Sequence, residues 1–97
     1  MEYKTFRDNS ERLTVQLEKM PALTYRFVAW RLKKKFSLKK SCDLVKTENE
    51  IFQEFSTGNM RVSIEWDNWS GLTVVALDKA SEPLVMEIGE SLENKYI

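Results

Sequence analysis

The run from Met60 to Leu77, Met-Arg-Val-Ser-Ile-Glu-Trp-Asp-Asn-Trp-Ser-Gly-Leu-Thr-Val-Val-Ala-Leu, constrains this chain more than any other. Met60, Val62, Ile64 and Trp66 alternate with Arg61, Ser63, Glu65 and Asp67, the period of two expected of a half-buried strand. Asp67-Asn68-Trp69-Ser70-Gly71 supplies a turn, because Asn and Gly tolerate positive φ and Asp and Ser bond the local backbone. Leu72 to Leu77 returns as a β-branched, more fully apolar strand, so this segment is predicted to be a β-hairpin. Such a sheet must be covered on at least one face, which gives helical segments a place to pack.

Helical spacing is the reading for Tyr3 to Met20, with Phe6, Leu13, Leu17 and Met20 on one stripe and Pro21 as the breaker. A second helix is predicted from Ala22 to about Lys35, its buried face carried by Leu23, Phe27, Trp30 and Val28. Residues 36 to 49 follow neither period over a useful length and stay unassigned. Glu50 to Ser56 reads as a strand, and Thr57-Gly58-Asn59 turns it into the hairpin. A final helix is predicted from Pro83 or Leu84 to about Lys95, burying Leu84, Val85, Ile88 and Leu92. The expected fold is a single α+β domain over residues 1–97: an N-terminal helix pair, a three-stranded antiparallel β-meander and a C-terminal helix, in the order ααβββα.

With 42% hydrophobic residues, 97 residues can build one core without metal or disulfide staples. Cys42 is the single cysteine, no Cys or His pair has zinc-ligand spacing, and no cofactor is implied. No apolar run reaches about 18 residues and the N-terminus lacks an apolar signal region, so the expectation is a soluble cytoplasmic protein that does not engage a membrane. The complete lack of His removes the commonest general base and metal ligand, which points away from an enzyme. No motif specifies an activity.

Charge is segregated beneath a net value of zero. Residues 1 to 46 hold twelve Lys and Arg against five Asp and Glu, and residues 47 to 97 hold three against ten. A folded domain with one basic and one acidic face would steer oppositely charged partners to each. Glu54, Glu65 and Asp67 are the candidate acidic partner-binding residues, and their plain reading is a solvated sheet face. Trp69, in the hairpin turn, is a candidate aromatic anchor if exposed and a core cap if folded back. Arg31, Lys33, Lys34, Lys35, Lys39 and Lys40, flanking Trp30 and Phe36, form the alternative, a nucleic-acid surface. The plain reading of that cluster is a solvated helix end complementing its dipole. A sequence pI near 6.3 and the acidic second half argue against a dedicated nucleic-acid binder.

The short chain, its Trp-Asp-Asn-Trp-Ser-Gly hairpin at 66 to 71, the following apolar strand and the C-terminal amphipathic helix together resemble the small bacterial immunity proteins, including those of contact-dependent growth inhibition. The similarity is one of size, layout and charge segregation, and it transfers no individual functional residue. It implies a cytosolic protein that binds a cognate toxin and covers its active site, with an acidic face suited to a basic toxin domain. A structural or oligomeric subunit remains the third possibility, and the oligomeric state is open.

Overall fold

Two side chains buried beneath helices carry their own polar atoms inward, and these organise the fold seen in a computed structural model that describes residues 2–97. The Trp66 indole donates a 2.6 Å hydrogen bond to the backbone oxygen of Met20, and the Tyr25 phenol donates one of 2.6 Å to that of Ile64. Both donors come from residues that would be costly to bury unpartnered. They pin the segment leading into the first helix onto the centre of a sheet.

The sheet among the described residues has seven antiparallel strands: β1 (Tyr3–Arg7), β2 (Leu13–Leu17), β3 (Lys39–Lys40), β4 (Val45–Lys46), β5 (Glu50–Thr57), β6 (Met60–Asp67) and β7 (Gly71–Ala76). Their order is β1-β2-β7-β6-β5-β3, with β4 also paired to β5. Two helices, α1 (Tyr25–Lys35) and α2 (Glu82–Tyr96), are each entered through a short 3₁₀ turn. No helix among the described residues is long and apolar enough to cross a membrane.

This architecture overturns the expected ααβββα layout. Residues 3 to 17 are a β-hairpin and not the first helix of a pair. Leu13, Val15 and Leu17 alternate toward the core and Thr14 and Gln16 toward the other face, a short period-two pattern that the wide helical spacing of Phe6, Leu13, Leu17 and Met20 conceals. The turn is built by Asp8, whose Oδ1 accepts from the backbone N–H groups of Ser10 (2.8 Å) and Arg12 (2.9 Å), while Glu11 adopts φ 62°. The hairpin then docks β2 on β7, so the three strands β5, β6 and β7 are the middle of a larger sheet and not a meander standing alone.

The unassigned residues 36 to 49 prove to be an interrupted edge. Lys39 pairs with Ser56 and Lys40 with Phe55; Val45 then pairs with Phe52 and Lys46 with Ile51. Residues 41 to 44 bulge between them. Ser41 N–H donates to the Glu54 oxygen at 2.8 Å, and Gln53 Nε2 to the Cys42 oxygen at 2.9 Å, so the bulge is held to β5. Such interruptions blunt an edge strand against further pairing.

Both helices cover the same sheet face. Tyr25, Val28 and Leu32 of α1 and Leu84, Val85, Ile88 and Leu92 of α2 join one buried cluster with Val15, Leu17, Val62, Ile64, Trp66, Leu72 and Val74. Lys35 Nζ donates to Ser91 Oγ at 2.9 Å, which sets the C-terminal parts of the two helices side by side. Gly89 lies where α2 crosses the hairpin; a Cβ there would stand 2.8 Å from Val15 Cγ1 and collide with the Tyr3 hydroxyl. Burial of each large apolar side chain contributes about 1.5–3 kcal/mol, so this one layer carries the fold. Among the described residues no helix lies over the opposite sheet face, on which Thr14, Ser63, Thr73 and Val75 are nevertheless buried.

Candidate functional site

The register decides which residues share the uncovered face. Phe6, Thr14, Val75, Ser63 and Glu54 form one row across the sheet, and Lys4, Gln16, Thr73, Glu65 and Phe52 form the next. Glu54 and Glu65 are therefore brought together on this face, both half-buried. Burial is the main cause that pushes the Glu65 carboxyl above the usual carboxylate range; the nearby Ser63 hydroxyl opposes it, and the charges of Glu50, Asp67 and Asp8 add to it. Ser63 Oγ is shielded from solvent and finds no partner with hydrogen-bond geometry.

Asp67 belongs to the turn more than to any surface. Its Oδ1 accepts from the backbone N–H of Trp69 at 2.9 Å and of Ser70 at 2.6 Å, bracing the β6–β7 connection. Trp69 rises from that tip with 83% of its surface exposed, which resolves its two readings in favour of exposure. The four acid-face candidates are thus divided among a sheet face, a turn brace and a loop tip.

The clearest apolar exposure lies elsewhere and reverses the expected orientation of α1. Tyr25, Val28 and Leu32 are its buried stripe. Leu23, Phe27 and Trp30, expected inside, are 87%, 73% and 60% exposed. At 100° per residue Phe27 and Trp30 stand opposite Tyr25, Val28 and Leu32 on α1, with Leu23 preceding them in the 3₁₀ turn, and either side could have been the core face. The sequence signal that separates them is what flanks each. Lys34 continues the Leu23-Phe27-Trp30 stripe, with Arg26 and Lys33 beside it, while Ala29 borders the Tyr25-Val28-Leu32 stripe.

The basic candidates are also divided. Lys34 Nζ sits 4.8 Å from the centroid of the Trp30 ring, a cation–π contact on the exposed stripe. Lys33 is exposed beside it, whereas Lys35 turns away to Ser91 and lies 5.7 Å from the Phe36 ring. Arg31 is half-buried, and its Nη1 is shielded from solvent with no hydrogen-bond partner. Lys39 and Lys40 are adjacent on β3, so alternation sends Lys39 to the uncovered face and Lys40 to the helix face. Arg26, missing from the sequence-derived cluster, joins Lys33 and Lys40 around a groove between α1 and the β3–β4 edge.

A larger hollow of about 540 Å³ lies at the end of the β1–β2 hairpin. It is walled by polar groups and crossed by a two-bonded Arg7–Glu82 ion pair (2.7 and 3.2 Å) that satisfies the central charges internally. Among the described residues no three or more Cys, Asp or Glu side chains converge in a way that could hold a metal ion. Comparison of the chain with protein-family models, with curated proteins and with solved structures returned no match.

Proposed function

We propose that this chain is a binding module that acts by occupying a protein partner, and that the outer face of α1 is its docking surface. The observation that carries this reading is the exposure of Phe27 and Trp30 on the outer face of α1 together with Leu23 in the 3₁₀ turn that enters it. Scattered apolar side chains on a surface are ordinary, but a continuous stripe of two aromatics and a leucine marks an interaction site. Arg26, Lys33 and Lys34 rim the stripe, and among the described residues none of them forms an ion pair. The complementary partner presents an apolar hollow bordered by carboxylates. A second copy of this chain fits poorly, because a two-fold contact through α1 would set these cations against themselves. Neutralisation of a toxin by covering its active site, as the immunity-protein resemblance implies, is one form such occupancy would take.

Nucleic acid is the weaker reading of the same region. Trp30 and Lys33 suit a base and a phosphate, but Lys35 is engaged with Ser91, and Lys39 and Lys40 face opposite ways. The acidic sheet face is the weaker protein site, since Asp67 is occupied within its turn.

The test is affinity capture from the source lysate, with nuclease treatment, comparing the native chain with Phe27→Glu/Trp30→Glu and with Glu54→Lys/Glu65→Lys. A stoichiometric protein is expected to survive nuclease, to be lost with the α1 double variant and to be retained by the sheet-face variant. The α1 variant should unfold at the same temperature as the native chain, since both side chains already lie in water. Retention of that protein by the α1 variant overturns the assignment.

A further inference from the structure

The groove between α1 and the interrupted β3–β4 edge adds to the helix stripe a wall from the sheet and the cations Lys33 and Lys40. It encloses about 210 Å³, the scale of one large side chain. Buried Phe55 forms part of its lining, Trp30 and Leu44 border it as exposed apolar groups, and Arg26, Lys33 and Lys40 contribute its charge. Among the described residues these three cations make no ion pair.

Leu44 is the informative member. A leucine at the end of an edge bulge, 47% exposed, contributes little to a core. Yet the chain on both sides of it is tied to β5: Ser41 N–H donates to the Glu54 oxygen and Gln53 Nε2 to the Cys42 oxygen before it, and Val45 pairs with Phe52 after it. The groove thus carries an apolar group from the sheet edge and an aromatic one from α1 among three cations. A neutral apolar ligand would leave the three exposed cations around the groove without a partner, and a simple anion would leave the apolar lining wet.

We infer that this groove binds an acidic peptide segment of the partner, seating one bulky apolar side chain between Trp30 and Leu44 while flanking carboxylates meet Arg26, Lys33 and Lys40. This rests on the protein-docking reading of α1 and specifies the chemistry of its partner. Insertion of an anchor side chain into a preformed apolar slot, with charged neighbours fixing orientation, is a common solution for short-segment recognition.

The test uses a pentapeptide of one phenylalanine between two pairs of glutamates, its counterpart with lysines, a single-stranded oligothymidine and phosphatidylglycerol vesicles, each titrated into ¹⁵N-labelled protein. The glutamate peptide is expected to shift the Trp30 indole and the Leu44 and Lys40 amides, and the lysine peptide to leave them unmoved. Leu44→Glu should weaken the glutamate peptide at least tenfold without disturbing resonances across the sheet. Equal binding of both peptides, a change below twofold for Leu44→Glu, or tighter binding of the oligonucleotide or vesicles at these residues overturns the inference. The captured partner separates the two levels: retained by Leu44→Glu but lost with Phe27→Glu/Trp30→Glu, it sinks the groove and leaves the docking face standing. Retained by both variants, it sinks the docking face as well.

Discussion

Tyr25 and Ile64 are joined through a buried hydrogen bond in which the phenol at the start of α1 reaches the backbone oxygen of the central strand β6, 2.6 Å away. Because Tyr25 points at the sheet, the helical period turns Phe27 and Trp30 outward. One side chain thereby sets both the packing of α1 and the surface it presents.

Replacing Tyr25 by Phe keeps the ring and deletes the donor. The Ile64 oxygen then loses this partner in a buried setting, a loss of about 1–3 kcal/mol. Burial also pushes the Tyr25 hydroxyl above its ordinary value, with the Glu65 charge a smaller contributor, so it remains a donor throughout the ordinary pH range. In denaturant melts the midpoint should fall while the slope stays constant. An unchanged midpoint would show that the bond does not fasten the helix.

Glu65 makes stability depend on pH in the direction opposite to most carboxylates. Its raised value in the folded protein means that the native state holds this proton more tightly than the unfolded chain does. The penalty of burying the charge is therefore absent below the ordinary carboxylate range and grows as pH climbs through the raised folded value. Glu65→Gln should exceed the native chain in melting temperature near pH 7, and the two should converge by about pH 4 as the native carboxyl is protonated. A variant less stable than the native chain at pH 7 contradicts this account.

Gly71 and Gly58 both sit at positive φ, 77° and 57°, but their surroundings differ. A Cβ on Gly71 would collide with the Leu17 backbone oxygen and stand 2.8 Å from the Lys19 nitrogen, where β7 meets the end of β2; one on Gly58 meets nothing within 4 Å. Each Ala substitution carries a backbone penalty of order 1–3 kcal/mol. Only Gly71→Ala adds a clash with main chain that cannot rotate away, so its loss of stability should be clearly the larger in paired chemical melts. Equal losses would mean that β2 yields at this point.

How far local pattern reaches can be judged element by element. The alternation from Met60 to Trp66 places Val62, Ile64 and Trp66 inside, and they are buried; the C-terminal helix, predicted from Pro83 or Leu84 to about Lys95, spans Glu82–Tyr96 and buries Leu84, Val85, Ile88 and Leu92. Each segment is long, strongly periodic and bounded by turn formers, so its neighbours in sequence suffice to specify it. Residues 3 to 17 and 39 to 46 are different. Their strands are five residues or fewer: β2 is held by β7, more than fifty residues distant, and β3 by β5 across the bulge, while β1 and β4 complete the edges by pairing with β2 and β5 through irregular turns that carry no hairpin signature.

The candidate site follows the same division. The presence of aromatics and cations in residues 23 to 40 is legible from the chain alone, as is the acidic character of Glu54 and Glu65. Which of the two opposed apolar stripes faces water is not legible from spacing, which both satisfy equally, and is signalled only by their flanks, Arg26, Lys33 and Lys34 beside one and Ala29 beside the other. That choice is made where the Tyr25 hydroxyl finds the Ile64 oxygen, and where the β3–β4 bulge brings Leu44 and Lys40 to the groove that Trp30 lines. Local periodicity specifies elements that are periodic; non-local hydrogen bonds and sheet register specify which of their faces is left for a partner.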